Sequence, residues 1–311
     1  MTKVFIDGAA GTTGLRICDR LSEREDISLI TLSEESRKDT AARKQALNEA
    51  DVVFLCLPDA AAVEAVGLIE NEAVKVIDAS TAHRTAPGWV YGFPEIVGKE
   101  AVANAKRLAN PGCHASGFIA LVFPLIEAGL LSKDATLTCF SLTGYSGGGK
   151  KMIADYESPD RDPLLGAPRQ YGITQSHKHL PEMQAVTGLT MAPAFCPIVA
   201  DFYSGMEVTV PVFGKDIPGS IEDIKAAYHS FYNLNGSKLV RYADSPDEGG
   251  FLSAAALSGL DTMEISVSGN AERILLTSRF DNLGKGASGA AIQNMNLMIG
   301  CPEETGLTVA L

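Results

Sequence analysis

Through about residue 112, short apolar runs alternate with amphipathic stretches. The runs at 3–6, 27–32, 51–57 and 73–78 read as strands, and 12–24, 39–49 and 60–69 as the helices between them. In the first helix Leu15, Cys18 and Leu21 recur at helical spacing. Strand runs that do not alternate have both faces buried, which predicts a parallel sheet with helices on each side. After residue 112 the texture changes. Residues 113–131 predict a long apolar helix with a kink at Pro124, which has no N–H to donate. Residues 136–142, 207–213, 263–268 and 274–280 predict longer strands with partial alternation, and 221–232 a helix between them. The Ala/Gly-rich stretch 286–297 predicts a last helix that packs back onto the first domain. The expected fold class is therefore α/β: a doubly wound parallel sheet of Rossmann type, followed by an α+β domain with a mostly antiparallel sheet. Such a sheet, covered on one side, predicts a homodimer or homotetramer.

Composition narrows the function classes. The chain has 311 residues, 46% hydrophobic and 21% charged, which suits two domains with sizeable cores. A net charge of -12 repels phosphate backbones and anionic lipid, so neither nucleic acid nor membrane is an expected partner. The six cysteines form no C-x-x-C pair and no zinc-finger spacing, and no metal is expected. The sequence enters a strand at its first residues, with no signal-peptide pattern and no apolar run of spanning length. A reducing cytoplasm is the expected location.

The first strand runs directly into Gly8-Ala-Ala-Gly11-Thr12-Thr13-Gly14, which opens the first helix. Glycines there permit a tight turn and close approach to a pyrophosphate, and the helix N-terminus offers unpaired N–H groups. The bland alternative is a ligand-free βα turn. At the end of the second strand, Ser33, Ser36, Arg37 and Lys38 favour the extra phosphate of NADP, whereas Glu34 and Glu35 fit a solvated loop equally well. Pro58, after the third strand, is a further cofactor candidate.

Asn110-Pro111-Gly112-Cys113 opens the long apolar helix, so Cys113 falls at a helix N-terminus, where a thiolate is stabilised and can attack an acyl carbon. His114 is adjacent, and neighbouring side chains on a helix diverge, which makes it a packing or capping residue. Two of the five histidines crowd into Tyr171-Gly-Ile-Thr-Gln-Ser-His177-Lys178-His179-Leu-Pro-Glu182, 64 residues downstream of Cys113. H-x-H-x-x-E is not a zinc-helix pattern. Ser146, in Gly144-Tyr-Ser-Gly-Gly-Gly149, and Arg84 are candidate contacts for an acyl phosphate or an oxyanion, with a flexible loop and a surface charge as the alternatives.

Taken in order, the glycine loop, Tyr91-Gly-Phe-Pro-Glu95, Asn-Pro-Gly-Cys113, His177-Lys-His179-Leu-Pro-Glu182 and Asp281-Asn282-Leu-Gly-Lys-Gly286 resemble the N-acetyl-gamma-glutamyl-phosphate reductase family of arginine biosynthesis, short type. The resemblance implies the aspartate-semialdehyde dehydrogenase fold, with an NADP-binding domain at 1–112 plus 284–311 and a catalytic and oligomerisation domain at 113–283. It implies an acyl-phosphate substrate, a Cys113 thioester reduced by NADPH, and inorganic phosphate as product. The family's base maps onto His177, its substrate contacts onto Tyr171, His179 and Glu182, and its nicotinamide neighbours onto Asn282 and Gly286. His114 and Ser116 depart from the family, which often has an aromatic residue and Thr there. The rivals are an aspartyl- or N-acetyl-aminoadipyl-phosphate reductase of the same fold, and an NADP-binding redox sensor without turnover. The sensor would need neither Cys113 nor the histidine cluster.

Overall fold

The computed structural model describes residues 1–310 except Asn235 and Asp247. Leu311, the end of the expected C-terminal segment, lies outside the described residues. The chain divides into two units, one built from Met1–Pro111 and Ala287–Leu307, the other from the chain between them and the last residues.

The first unit alternates strands and helices: β1 (Thr2–Asp7), α1 (Thr12–Ser22), β2 (Ile27–Ile30), α2 (Thr40–Glu49), β3 (Val52–Leu55), α3 (Asp59–Gly67), β4 (Lys75–Asp78), β5 (Val90–Tyr91), α4 (Pro94–Val97), α5 (Lys99–Ala103) and β6 (Arg107–Ala109). Its six strands run in the order β2-β1-β3-β4-β6-β5, and every neighbouring pair is parallel. Alternate residues of each strand feed opposite cores. One core joins Val4, Ile6, Phe54 and Ile77 to Ile17 and Leu21 of α1. The other joins Phe5, Val53, Leu55 and Val76 to Ala46, Leu47, Ala62 and Ala65 of α2 and α3.

The second unit holds α6 (Cys113–Glu127), β7 (Thr138–Gly144), α7 (Gly149–Glu157), β8 (Arg169–Gln170), α8 (Leu180–Thr187), β9 (Ala194–Ala200), β10 (Met206–Phe213), α9 (Ile221–Tyr228), β11 (Val240–Tyr242), β12 (Met263–Gly269) and β13 (Arg273–Phe280). Its sheet order is β11-β12-β13-β10-β7-β9-β8. The pairs β11/β12 and β7/β9 are parallel and the other four antiparallel, so the sheet is mixed. Helix α6 seats on its inner face. A Cβ at Gly117 would meet Val208 Cγ2 at 2.5 Å and Ser278 Oγ at 2.8 Å, so only glycine lets the helix lie this close. Pro124 cannot donate to the carbonyl of Ala120, and the Tyr232 hydroxyl donates to that oxygen instead, at 2.7 Å. The helix predicted over 221–232 changes character after Tyr228, and residues 229–233 form a wider π turn that delivers Tyr232.

The last helix, α10 (Gly289–Met298), belongs to the first unit, where Ala291, Ile292, Met295 and Met298 complete the core beneath β1, β3 and β4. Beyond Leu307 the tail joins the second unit: Thr308 N–H donates to the Asp261 carboxylate at 2.8 Å and Ala310 N–H to Thr262 Oγ1 at 2.9 Å. Among the described residues no helix is long and apolar enough to cross a membrane.

Candidate active site

Gly112 precedes α6 in an extended conformation (φ -79°, ψ 142°) and puts half-buried Cys113 in the first turn. The turn is fixed from two sides. Gly112 N–H donates to Glu182 Oε2 at 3.1 Å, and a Cβ at Gly286 would lie 3.0 Å from Cys113 Cβ, so a side chain at 286 would crowd the turn. Glu182 is buried in the first turn of α8, and its other carboxylate oxygen is 4.0 Å from His179 Nε2. Glu182 thus holds the turn that carries Cys113.

The loop between β8 and α8 brings the histidines over this turn. Gln175 adopts a left-handed conformation (φ 56°), which frees its side-chain amide to pair with β9 as a strand would. Its Nε2 donates to Phe195 O at 2.7 Å and its Oε1 accepts from Phe195 N at 2.8 Å. His177 and His179 then meet edge to face at 4.8 Å between ring centroids. His179 N–H donates to His177 Nδ1 at 3.2 Å, so the neutral His177 ring carries its proton on Nε2. His114 is packed among Tyr171, His177, His179 and Phe195, with ring centroids 5.3–6.0 Å away. Burial, and then the neighbouring His177 and Lys178, push its pKa down to about 3. Burial, and then Cys113, push the Tyr171 phenol up. The structure therefore gathers Cys113, Tyr171, His177, His179 and Glu182.

Ser146 is buried after β7, and its Oγ accepts from Asn282 Nδ2 at 3.0 Å. Asn282 Oδ1 in turn accepts from Gly205 N–H at 2.9 Å, so this asparagine ties two loops together. Two thiols elsewhere are poor nucleophiles: burial pushes Cys56 up to about 12 and also raises Cys139. Among the described residues no group of three His, Cys, Asp or Glu side chains is arranged to hold a metal ion.

The glycine loop lies in the first unit. Gly8 has φ +89°, and a Cβ there would strike Cys56 O at 2.3 Å. A Cβ at Gly14 would strike Gly8 O at 2.5 Å. Gly11 caps α1, and Thr12 Oγ1 is buried with no hydrogen-bond partner among the described residues. Thr13 lies in the same first turn of α1. Beside the loop a cavity of about 590 Å³ is lined by Asp7, Gly8, Leu32, Glu34, Arg37 and Lys38, among others. A turn of small residues with glycine at 8, 11 and 14, an unspent hydroxyl and basic groups at the cavity rim fit a dinucleotide carrying an extra phosphate. Arg37 sits 3.4 Å from Glu34, an exposed pair of little strength. Ser33 and Ser36 bond to each other at 3.0 Å. Pro58 caps α3. Arg84 donates to Asn110 O at 3.1 Å and Ala79 O at 3.4 Å. Asp7 and Arg43, joined at 2.8 Å, line the same cavity and were not singled out from sequence, where a lone Asp after a strand and an Arg inside a helix carry no pattern.

Two family models match: the NAD binding domain of semialdehyde dehydrogenase over residues 3–105, and the semialdehyde dehydrogenase dimerisation domain over residues 113–282. The chain is 46% identical to N-acetyl-gamma-glutamyl-phosphate reductase 2 of a Nostoc species, covering 98% of this chain and 99% of that one. It is also 46% identical to N-acetyl-gamma-glutamyl-phosphate reductase of Burkholderia lata, covering 96% and 97%. Aspartate semialdehyde dehydrogenase II of Vibrio cholerae shares the fold, with a TM-score of 0.71 at 17% identity over 96% of this chain and 98% of that one. Full-length identity at this level, together with both family models, means that the chain belongs to the semialdehyde dehydrogenases and, within them, to the N-acetyl-gamma-glutamyl-phosphate reductase family.

Proposed function

We propose that this chain reduces N-acetyl-gamma-glutamyl phosphate to N-acetylglutamate semialdehyde with NADPH, in arginine biosynthesis, through a thioester on Cys113. The observation that carries this reading is Cys113 in the first turn of α6, its turn held by Glu182 and its neighbour His114 packed by Tyr171, His177 and His179. The helix N-terminus favours the thiolate. Its sulfur attacks the acyl carbon, a C–S bond forms, and the C–O bond to phosphate breaks with inorganic phosphate leaving. NADPH, when bound, supplies a hydride. As the C–S bond breaks, its electrons return to Cys113 and the aldehyde is released; the one proton taken up overall ends on phosphate.

The family's base corresponds to His177. Its Nδ1 is occupied as an acceptor, so Nε2–H is the group it presents, and we assign it the role of hydrogen-bond donor to the acyl oxygen as negative charge develops there. Tyr171, His179, Ser146 and Arg84 are assigned to the substrate, with Glu182 holding the turn. Gly8, Gly11, Thr12, Thr13, Gly14, Ser33, Ser36, Arg37, Lys38 and Pro58 are assigned to the dinucleotide, and Asn282 and Gly286 to its nicotinamide side. The second unit carries the dimerisation match, and the outer face of its sheet exposes Phe140, Phe213 and Leu275, which suits a homodimer. Six cysteines with no disulfide among the described residues suit the reducing cytoplasm.

The test runs the reaction backwards. Phosphate-dependent reduction of NADP with N-acetylglutamate semialdehyde is expected, and none with aspartate semialdehyde. The N-acetyl-aminoadipyl analogue, one methylene longer, is expected to be poorer by about 10- to 200-fold. Turnover independent of phosphate, or faster with either rival aldehyde, overturns the assignment.

A further inference from the structure

His114 is buried, with two short hydrogen bonds: Nδ1 lies 2.6 Å from Ser141 Oγ and Nε2 lies 2.6 Å from the Tyr171 hydroxyl. A neutral imidazole has one donor and one acceptor, so the two bonds must run in one sense around the ring. Ser141 decides which. It sits on the inner face of β7, is fully buried, and His114 is its one side-chain partner among the described residues. A hydroxyl that only accepted from the ring would leave its own O–H as a buried, unspent donor, which a folded core disfavours. Ser141 therefore donates to Nδ1. The ring proton then sits on Nε2 and is donated to the Tyr171 oxygen. Tyr171 has no need of its own proton for that bond, so its O–H is left to point away from His114. The high pKa of the phenol and the low pKa of the imidazole keep all three members neutral near pH 7, consistent with this arrangement.

We propose that Ser141 and His114 form a directional relay that turns Tyr171 into a hydrogen-bond donor aimed at an anionic oxygen of the substrate, a carboxylate or phosphoryl oxygen. His114 is a positioning residue: it reaches the substrate only through Tyr171. The inference rests on the acyl-phosphate reading for the substrate's identity, and on the hydrogen-bond geometry for the direction of the relay.

A double-mutant cycle tests it. His114→Phe keeps a flat ring and removes both nitrogens. It is expected to raise KM for the acyl phosphate about tenfold, with a smaller change in kcat and no change in NADPH binding. Tyr171→Phe is expected to match or exceed that loss, and the double variant to be no worse than Tyr171→Phe alone. His114→Gln, which returns an amide donor, is expected to recover part of the loss. Effects that multiply in the double variant, or a His114→Phe enzyme with wild-type KM, overturn the relay. Should His114→Phe fail to fold by circular dichroism, Ser141→Ala enters the same cycle with Tyr171→Phe, with the same criteria. A direct readout needs no substrate. In 15N-histidine-labelled protein, the His114 resonances are expected to show a neutral ring protonated on Nε2, and a ring protonated on Nδ1 overturns the direction. A wild-type enzyme inactive on N-acetyl-gamma-glutamyl phosphate would sink the functional reading while leaving the spectroscopic test of the relay intact.

Discussion

A serine at position 113 would keep the turn and lose the thiolate. A hydroxyl scarcely ionises near neutral pH, even at a helix N-terminus. Cys113→Ser is therefore expected to abolish turnover while NADPH titration gives an unchanged Kd. Enzyme mixed with acyl phosphate without NADPH is expected to gain one acyl group on Cys113 by mass spectrometry, and an adduct on another cysteine would refute the thioester. His177→Asn replaces the imidazole with a shorter amide, and turnover is expected to fall by about 100- to 10,000-fold. His114 leaves a different signature. Its pKa falls from the ordinary 6.5 to about 3 in the fold, mainly through burial. Between those pH values the unfolded chain binds a proton that the folded chain does not, so stability drops as pH falls through that window and is complete above it. Urea midpoints measured from pH 7 to pH 4 are expected to decline less steeply for His114→Phe than for wild type. Parallel declines would show that His114 is not the group responsible.

At the scale of elements, legibility followed length and register. Strands β1 and β3 were readable because their runs are apolar on both faces, the mark of a covered parallel sheet. β9 was not, because Pro197 interrupts a run that otherwise reads as strand, and its register is set by β7 beside it. β5, β8 and β11, of two or three residues, are too short to show a period. The Cys113 and His177/His179 pairing was readable because histidine is scarce here, whereas Ser141 and Phe195 enter the site only through the parity of β7 and β9. The Tyr91–Glu95 motif has a packing role: a Cβ at Gly92 would meet Asn294 at 2.6 Å, and Glu95 accepts from Gln293 at 3.0 Å, both on α10. The loop after β2 carries a testable claim. Arg37→Ala combined with Lys38→Ala is expected to erode the preference for NADPH over NADH about tenfold or more, measured as the ratio of two Kd values. An intact preference would shift the discrimination to Ser33, Ser36 or the backbone. Within α6, Tyr232→Phe would strand the Ala120 carbonyl beneath Pro124, and thermal unfolding is expected to report a loss of about 1–3 kcal/mol.

For the whole molecule, the outer face of the second sheet matters most. Phe140, Phe213 and Leu275 are 45%, 56% and 42% exposed, on strands whose inner residues are buried beneath α6. Phe213→Glu with Leu275→Glu is expected to shift sedimentation from a dimer to a monomer at micromolar concentration, and an unchanged sedimentation coefficient would place the interface elsewhere. The make-up of the first unit has a consequence for how the protein is born. Its core is left open on one side until Ala291, Ile292, Met295 and Met298 arrive from α10. At a synthesis rate of about 5–20 residues per second, residue 287 follows residue 111 by about 9–35 s. For that interval the N-terminal strands carry a face covered only in part, by α1 and α5, and by its end the intervening segment has every strand of its own sheet. The segment made second is the one equipped to fold first, and a nascent chain stalled before α10 would carry a chaperone-binding surface that the finished enzyme does not have.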